Sequence, residues 1–158
     1  MKKSLFKVLC IVILALFVMS TAGAAATTSS AGKIEVVTKL SQIDTALNKK
    51  PVFIRLGASW CSHCKAFQPT FEALAKEYAG KVTFMSIDIT KSPDLSKYFG
   101  VGRIPDCSVI VGKKNGKYIY MQENGKTTTD RTKARIVRDN HPKSEYEKVL
   151  NFAVKYKK

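Results

Sequence analysis

The chain has 158 residues, room for one domain of ordinary size, and its 45% hydrophobic content is that of a folding sequence, not a disordered one. Twenty-seven lysines and arginines against 12 acids give a formal net charge of +15, a balance that points to nucleic acid, to an anionic cell envelope or to acidic partners. A solvated cationic surface with no specific ligand is the plainer alternative.

Lys2, Lys3 and Lys7 precede an apolar run from Val8 to Met19, and the small residues of STAGAAATTSS follow. Residues 1–26 therefore read as a secretory signal peptide, with cleavage after Ala24 or after Ala26 fitting an A-x-A site equally well. Extended through the alanines, the run almost spans a bilayer, so an uncleaved anchor is the alternative. Cys10 is a small apolar residue of this segment. Removing three lysines leaves 24 basic residues against 12 acids, or +12. In an exported chain whose lysines are scattered singly, that charge argues for an anionic envelope or acidic partners rather than nucleic acid. The expected location is periplasmic, extracellular or membrane-anchored facing outside.

Residues 27–32 form a polar linker to a domain over 33–158. KIEVV predicts a strand, and TKLSQIDTALNKK a helix with Leu40, Ile43 and Leu47 at helical spacing. PVFIRLGAS is a mostly apolar strand. The next helix runs from Cys61 to about Ala79, with Phe67, Phe71, Leu74 and Tyr78 on one stripe and Gly80 as its stop. KVTFMSIDI is another strand and SPDLSKYFG a short helix, so the order βαβαβ implies parallel strands covered by helices. Beyond Pro105 the pattern turns antiparallel: DCSVIVGKK and KYIYMQ flank Asn115-Gly116, a hairpin signal repeated at Asn124-Gly125. KTTTDRTKARIVRD is expected to extend this β-meander at the sheet edge, its charges discouraging pairing with other chains. Pro142 opens a last helix with Tyr146, Leu150 and Val154 on its apolar face. The class is α/β, a central mixed sheet flanked by helices with an extended C-terminal β-meander.

After the export segment the cysteines are Cys61, Cys64 and Cys107, an odd number that excludes a disulfide-stapled miniprotein. Two lie in SWCSHCK, where Cys61 begins a helix and Cys64 sits one turn further in, so the two sulfurs can close into a disulfide and open again. Unsatisfied N–H groups and the positive end of the helix dipole stabilise a Cys61 thiolate, which makes Cys61 the attacking sulfur. Cys64 then resolves the mixed disulfide formed with a partner protein. His63, when protonated, favours the Cys61 thiolate and makes the disulfide more oxidising; it and Ser62 are the residues between the cysteines that tune the pair. Trp60 is either ordinary packing or an apolar surface for substrate.

Cys-x-x-Cys is also half of a zinc site, and Cys107 with His141 would have to complete it at an unusual spacing. His141 otherwise reads as a loop residue. A purely structural bridge of so small a loop adds little stability. Cys107 reads as a buried inert cysteine, with a third thiol near the pair as the alternative.

WCSHCK resembles the thioredoxin-family active site, and the match continues beyond it. Pro69 falls five residues after Cys64, where that family has its helix-kinking proline. EYAGKVTFMSID resembles the segment leading into the central strand, and KYFGVGRIPD the tract ending in the family's cis-proline. The similarity runs from Glu35 to Lys117 and, more loosely, over the final helix. It implies the thioredoxin fold, a cis peptide at Ile104–Pro105, and a partner-binding groove shaped by Pro105 beside Ile104 and Trp60.

Two departures matter. The family's buried acid six residues before the first cysteine is replaced by Arg55, which either lowers the Cys64 pKa or snorkels to the surface. The Ser-His dipeptide stands where thioredoxins have Gly-Pro and is similar to the sites of protein disulfide isomerase and the periplasmic disulfide oxidases. The segment Gln122–His141 is longer than a minimal thioredoxin needs. The expected function is extracytoplasmic thiol–disulfide exchange with cysteine-containing envelope proteins, a redox partner recycling the site, no organic cofactor and the direction of electron flow left open. The alternative is a binding module or metal chaperone on the same fold without turnover.

Overall fold

The computed structural model describes residues 32–136 and 141–157. The expected signal peptide at 1–26 and the expected linker residues 27–31 lie outside the described residues. Six strands, β1 (Ile34–Val36), β2 (Val52–Gly57), β3 (Thr83–Asp88), β4 (Asp106–Lys114), β5 (Lys117–Met121) and β6 (Thr127–Thr128), form one sheet in the order β1-β3-β2-β4-β5-β6. β3 runs parallel to β1 and β2, whereas β4 is antiparallel to β2 and to β5. The mixed sheet expected from the element order is present, with helices α1 (Leu40–Leu47), α2 (Ser62–Glu77), α3 (Pro93–Tyr98) and α4 (Lys143–Lys155) around it.

Side chains alternate along β2, and this divides the core into two layers. Val52, Ile54 and Leu56 pack with Ile43 and Leu47 of α1 and Leu95 of α3 on one face. Phe53 faces the other way, edge-on to Phe71 at 5.4 Å and to Phe84 at 5.3 Å, beneath α2 and α4. The stripe Phe67, Phe71, Leu74 and Tyr78 is buried throughout. At the hairpin between β4 and β5, Asn115 and Gly116 both take positive φ (50° and 75°), as a two-residue turn matched to strand twist requires.

Two expectations change. In α4 the buried face is Tyr146, Val149, Leu150 and Ala153, while Val154 is 39% exposed; residues 146, 150 and 154 follow a strict four-residue step, which drifts around a helix of 3.6 residues per turn. The meander also stops early. After the two residues of β6 the chain makes a 3₁₀ turn at Arg131–Ala134 and, among the described residues, touches the sheet again through the bridge of Ile136 to Cys107.

The cause lies in Asp106, the residue after Pro105, which is fully buried. Arg131 grips both its oxygens, Nη2 to Oδ1 at 2.6 Å and Nη1 to Oδ2 at 3.1 Å, and also donates to the Phe99 carbonyl at 2.7 Å. Arg135 donates to Oδ2 through Nε at 3.1 Å and through Nη2. Charges expected at the solvent edge are turned inward because a buried carboxylate must be paired. Asp106→Ala, which strands a buried guanidinium, is expected to cost about 3–5 kcal/mol in urea unfolding; a loss under about 1 kcal/mol would mean that the pairing does not hold this segment.

Candidate active site

β2 ends at Gly57, and four residues later α2 begins with Cys61 as its N-cap. The Cys61 N–H donates to the Ala58 carbonyl at 3.2 Å, and its own carbonyl accepts from Lys65 at 3.1 Å. Its sulfur does what a capping oxygen usually does, accepting the Cys64 N–H at 3.1 Å. A partial positive charge thus bears directly on Cys61 Sγ.

Both cysteines are free thiols, buried with Ala58 against Ile89 and Ile104. The Ile104–Pro105 peptide is cis, and the Ile104 carbonyl oxygen lies 3.8 Å from Cys61 Sγ. Trp60 is 66% exposed at the rim, and Ser62 and His63 are exposed on the first turn of α2. The structure therefore brings Trp60, Cys61, Cys64, Ile104 and Pro105 to one place. Gly57, which the sequence did not single out, belongs there too. A Cβ on it would approach Cys64 Sγ to 3.1 Å, so the bare backbone makes room for the second thiol.

Cys64 resists ionisation, its pKa pushed up to about 11. Burial is the main cause, followed by its hydrogen bond to Cys61 and the charge there, while the Ala58 backbone and Arg55 act in the opposite direction. Once Cys61 is tied into a mixed disulfide it carries no charge, and its share of the upward push disappears. Burial, the largest cause, remains.

Arg55 does not snorkel. It shares the Phe53 face of β2, partly buried, with Nη2 donating to Ser86 Oγ at 3.0 Å, Nη1 donating to Gln68 Oε1 and the guanidinium 4.9 Å from the Phe71 ring centroid. With Cys64, Lys65, Gln68 and Ser86 it lines an open cleft of about 220 Å³. Across the ladder from it is Cys107, 1% exposed, whose thiol burial pushes far above its ordinary range. It therefore stays protonated. His141 lies at the start of α4 against Glu145 and Tyr146. Among the described residues no three His, Cys, Asp or Glu side chains lie together as a metal-binding set.

The family model described as Thioredoxin matches residues 34–138, and the chain belongs to the thioredoxin family. It is 33% identical over 81 residues to thioredoxin C-2 of Corynebacterium nephridii, covering 51% of this chain and 72% of that one. Over 77 residues it is 34% identical to a thioredoxin of Borreliella burgdorferi, covering 48% and 66%. A thioredoxin domain-containing protein of Theileria parva is 32% identical over 93 residues; the match takes in 59% of this chain but spans only 40% of that protein's length. Among solved structures, a point mutant of the Halobacterium salinarum thioredoxin superposes with a TM-score of 0.61 at 16% identity, over 83% of this chain and 99% of the other. Malassezia sympodialis thioredoxin gives 0.58 at 21% identity, over 78% and 92%. These structures share the thioredoxin fold with the chain, and thioredoxin-type thiol–disulfide exchange is the reaction class that family and cysteine pair together support.

Two expected outcomes follow from the geometry. Cys61→Ser abolishes capture of partner proteins, whereas Cys64→Ser accumulates mixed disulfides visible on non-reducing gels; equal loss in both variants would contradict separate roles for the sulfurs. Arg55→Met slows resolution of a preformed mixed disulfide roughly threefold at pH 7, less than the tenfold that one pKa unit represents, and the gap closes as alkali ionises Cys64. Arg55→Lys retains the rate. A pH profile identical in wild type and Arg55→Met would remove Arg55 from the step.

Proposed function

We propose that this chain is an exported protein thiol–disulfide oxidoreductase, acting on cysteine-containing proteins of the cell envelope with Cys61 as nucleophile and Cys64 as resolving thiol. The observation that carries the reading is the Cys61 sulfur at the α2 N-terminus, with the Ile104 carbonyl on one side and Cys64 beneath it.

In the reducing direction the Cys61 thiolate attacks one sulfur of a substrate disulfide, forming the Cys61–substrate bond and expelling the other substrate sulfur as a thiolate that takes up a proton. Cys64 loses its proton and attacks Cys61 Sγ, which releases the second substrate thiol and leaves Cys61–Cys64 oxidised. Two electrons pass to the substrate, and a dithiol donor must return them. Run backwards, the same steps oxidise a substrate dithiol. Exposed Trp60 and the Ile104–Pro105 loop offer an apolar strip for the polypeptide around its cysteine.

His63, exposed in the first turn, supplies when protonated a second positive charge in favour of the Cys61 thiolate, and with Ser62 in place of the usual dipeptide it shifts the site toward oxidation. Support for export comes from the basic, apolar and small-residue succession of residues 1–26.

Insulin reduction with dithiothreitol is the test of turnover: catalytic precipitation of the B chain is expected from wild type and not from Cys61→Ser. Stoichiometric binding without turnover would make the domain an adaptor. Fractionation of expressing cells should find the domain outside the cytosol, beginning at Ala25 or Thr27 if cleaved and at Met1 if anchored, and a cytosolic protein would refute export. The reduction potential against a glutathione series then assigns the direction of electron flow.

A further inference from the structure

We propose that the substrate groove selects acidic polypeptide segments, and that Arg135, brought to it by the 122–136 excursion, sets this preference together with Arg103. The inference rests on the exchange reading above and names the chemistry of the segment that site accepts.

The starting point is a surplus of charge. Asp106 carries one negative charge, and Arg131, 8% exposed, satisfies both of its oxygens in a bidentate pair. Arg135 adds a second guanidinium to the same carboxylate and is 19% exposed. One carboxylate facing two arginines leaves a net positive charge, and holding such a charge away from water is costly unless something compensates it.

The position of that charge gives it a use. Asp106 directly follows Pro105, and Arg135 Nη2 comes within 3.9 Å of where a Gly102 Cβ would sit, so the guanidinium backs the Gly102–Ile104 loop. In that loop Gly102 and Arg103 are exposed, and the next carbonyl, that of Ile104, lies 3.8 Å from Cys61 Sγ. On α2, His63 and Lys65, the neighbours of Cys64 in the chain, are both exposed. A chain crossing the site passes Lys65 of α2, which lines the cleft beside Cys64, as well as the Gly102–Ile104 loop.

Two acids lie close to these groups. Asp88 lines the cleft beside Cys64, and its Oδ1 already accepts from the Thr90 N–H, the Thr90 hydroxyl and the Lys91 N–H. Glu123 lines the hollow on the other side of Arg135, where Lys133 is also present. Within the Gly102–Ile104 loop itself the charged side chain is that of Arg103, which is exposed. Carboxylates beside the substrate cysteine would complete the pairing that Asp106 leaves incomplete, raising encounter rate and affinity in a salt-dependent way.

The test uses three disulfide-bonded peptides, identical except that the residues flanking one cysteine are two Glu, two Gln or two Lys, with dithiothreitol as reductant. For the domain, kcat/KM is expected to be about tenfold higher for the Glu peptide than for the Gln peptide at low ionic strength, mostly through KM, and to converge as salt is raised past about 0.15 M. The Lys peptide should be poorest. Arg135→Gln and Arg103→Gln should each lower the Glu-to-Gln ratio by roughly threefold, whereas Lys114→Gln, at the far end of β4, keeps it. Arg103 is in an exposed loop outside the Asp106 cluster, so its variant reports on recognition even where Arg135→Gln loosens the fold.

Equal rates on the three peptides would overturn the inference and leave exchange standing; so would a preference that neither arginine variant alters. No exchange with any peptide would overturn the exchange reading and this one with it. Sedimentation with phosphatidylglycerol vesicles without a peptide preference would assign the cations to a lipid surface and reject the proposal.

Discussion

The first turn of an α-helix has backbone N–H groups without helical partners, and in α2 one of these is taken by the sulfur of Cys61. Much of the molecule is arranged around that contact. β2 has to end where α2 begins, so that the chain emerges from the sheet with Cys61 in an extended conformation and Cys64 one turn beneath it. Gly57 has to lack a side chain, because the second sulfur occupies the space a methyl group would take. β4 has to start beside β2, with Leu56 opposite Asp106, so that Ile104 and Pro105 come to lie against the cysteines. The two-layer core of aromatic and aliphatic side chains is the rigid support that holds these three chain segments in register.

Electrostatics then separates two chemically identical thiols. Cys61 faces the helix terminus, and Cys64 is buried beneath it and kept neutral in part by the charge on its partner. The carboxylate that thioredoxins of the usual pattern place under the pair is absent, and a guanidinium stands there instead, held by Ser86 and Gln68. A carboxylate can take up the proton of the second thiol, whereas a guanidinium cannot, so Arg55 acts on Cys64 by favouring its anion.

The excursion between β5 and α4 is the part that sets this chain apart from a minimal domain of its family. It is anchored by Arg131 and Arg135 on Asp106 and by the backbone pair of Ile136 with Cys107. These contacts converge on the residues immediately after Pro105. The excursion thus braces the Gly102–Ile104 loop from behind.

Much of this was legible in the sequence because it depends on neighbours. Helical and strand periodicity, Asn-Gly at the hairpin, and two cysteines one helical turn apart are properties of short stretches, and they determined the layered α/β fold and the reactive pair. Even the cis proline was accessible, through resemblance of a contiguous tract. What only the tertiary structure decided involves partners far apart in the chain. Asp106 meets arginines 25 and 29 residues away, and Arg55 reaches Gln68 and Ser86 on two other elements. Nothing local distinguishes Arg131, buried, from Lys133, exposed, two residues later. An arginine in a polar, β-branched stretch reads as an edge-strand charge until the fold presents a buried carboxylate to it. The cost of leaving that carboxylate unpaired, and not the propensity of the residues around it, is what turned an expected strand into a clamp.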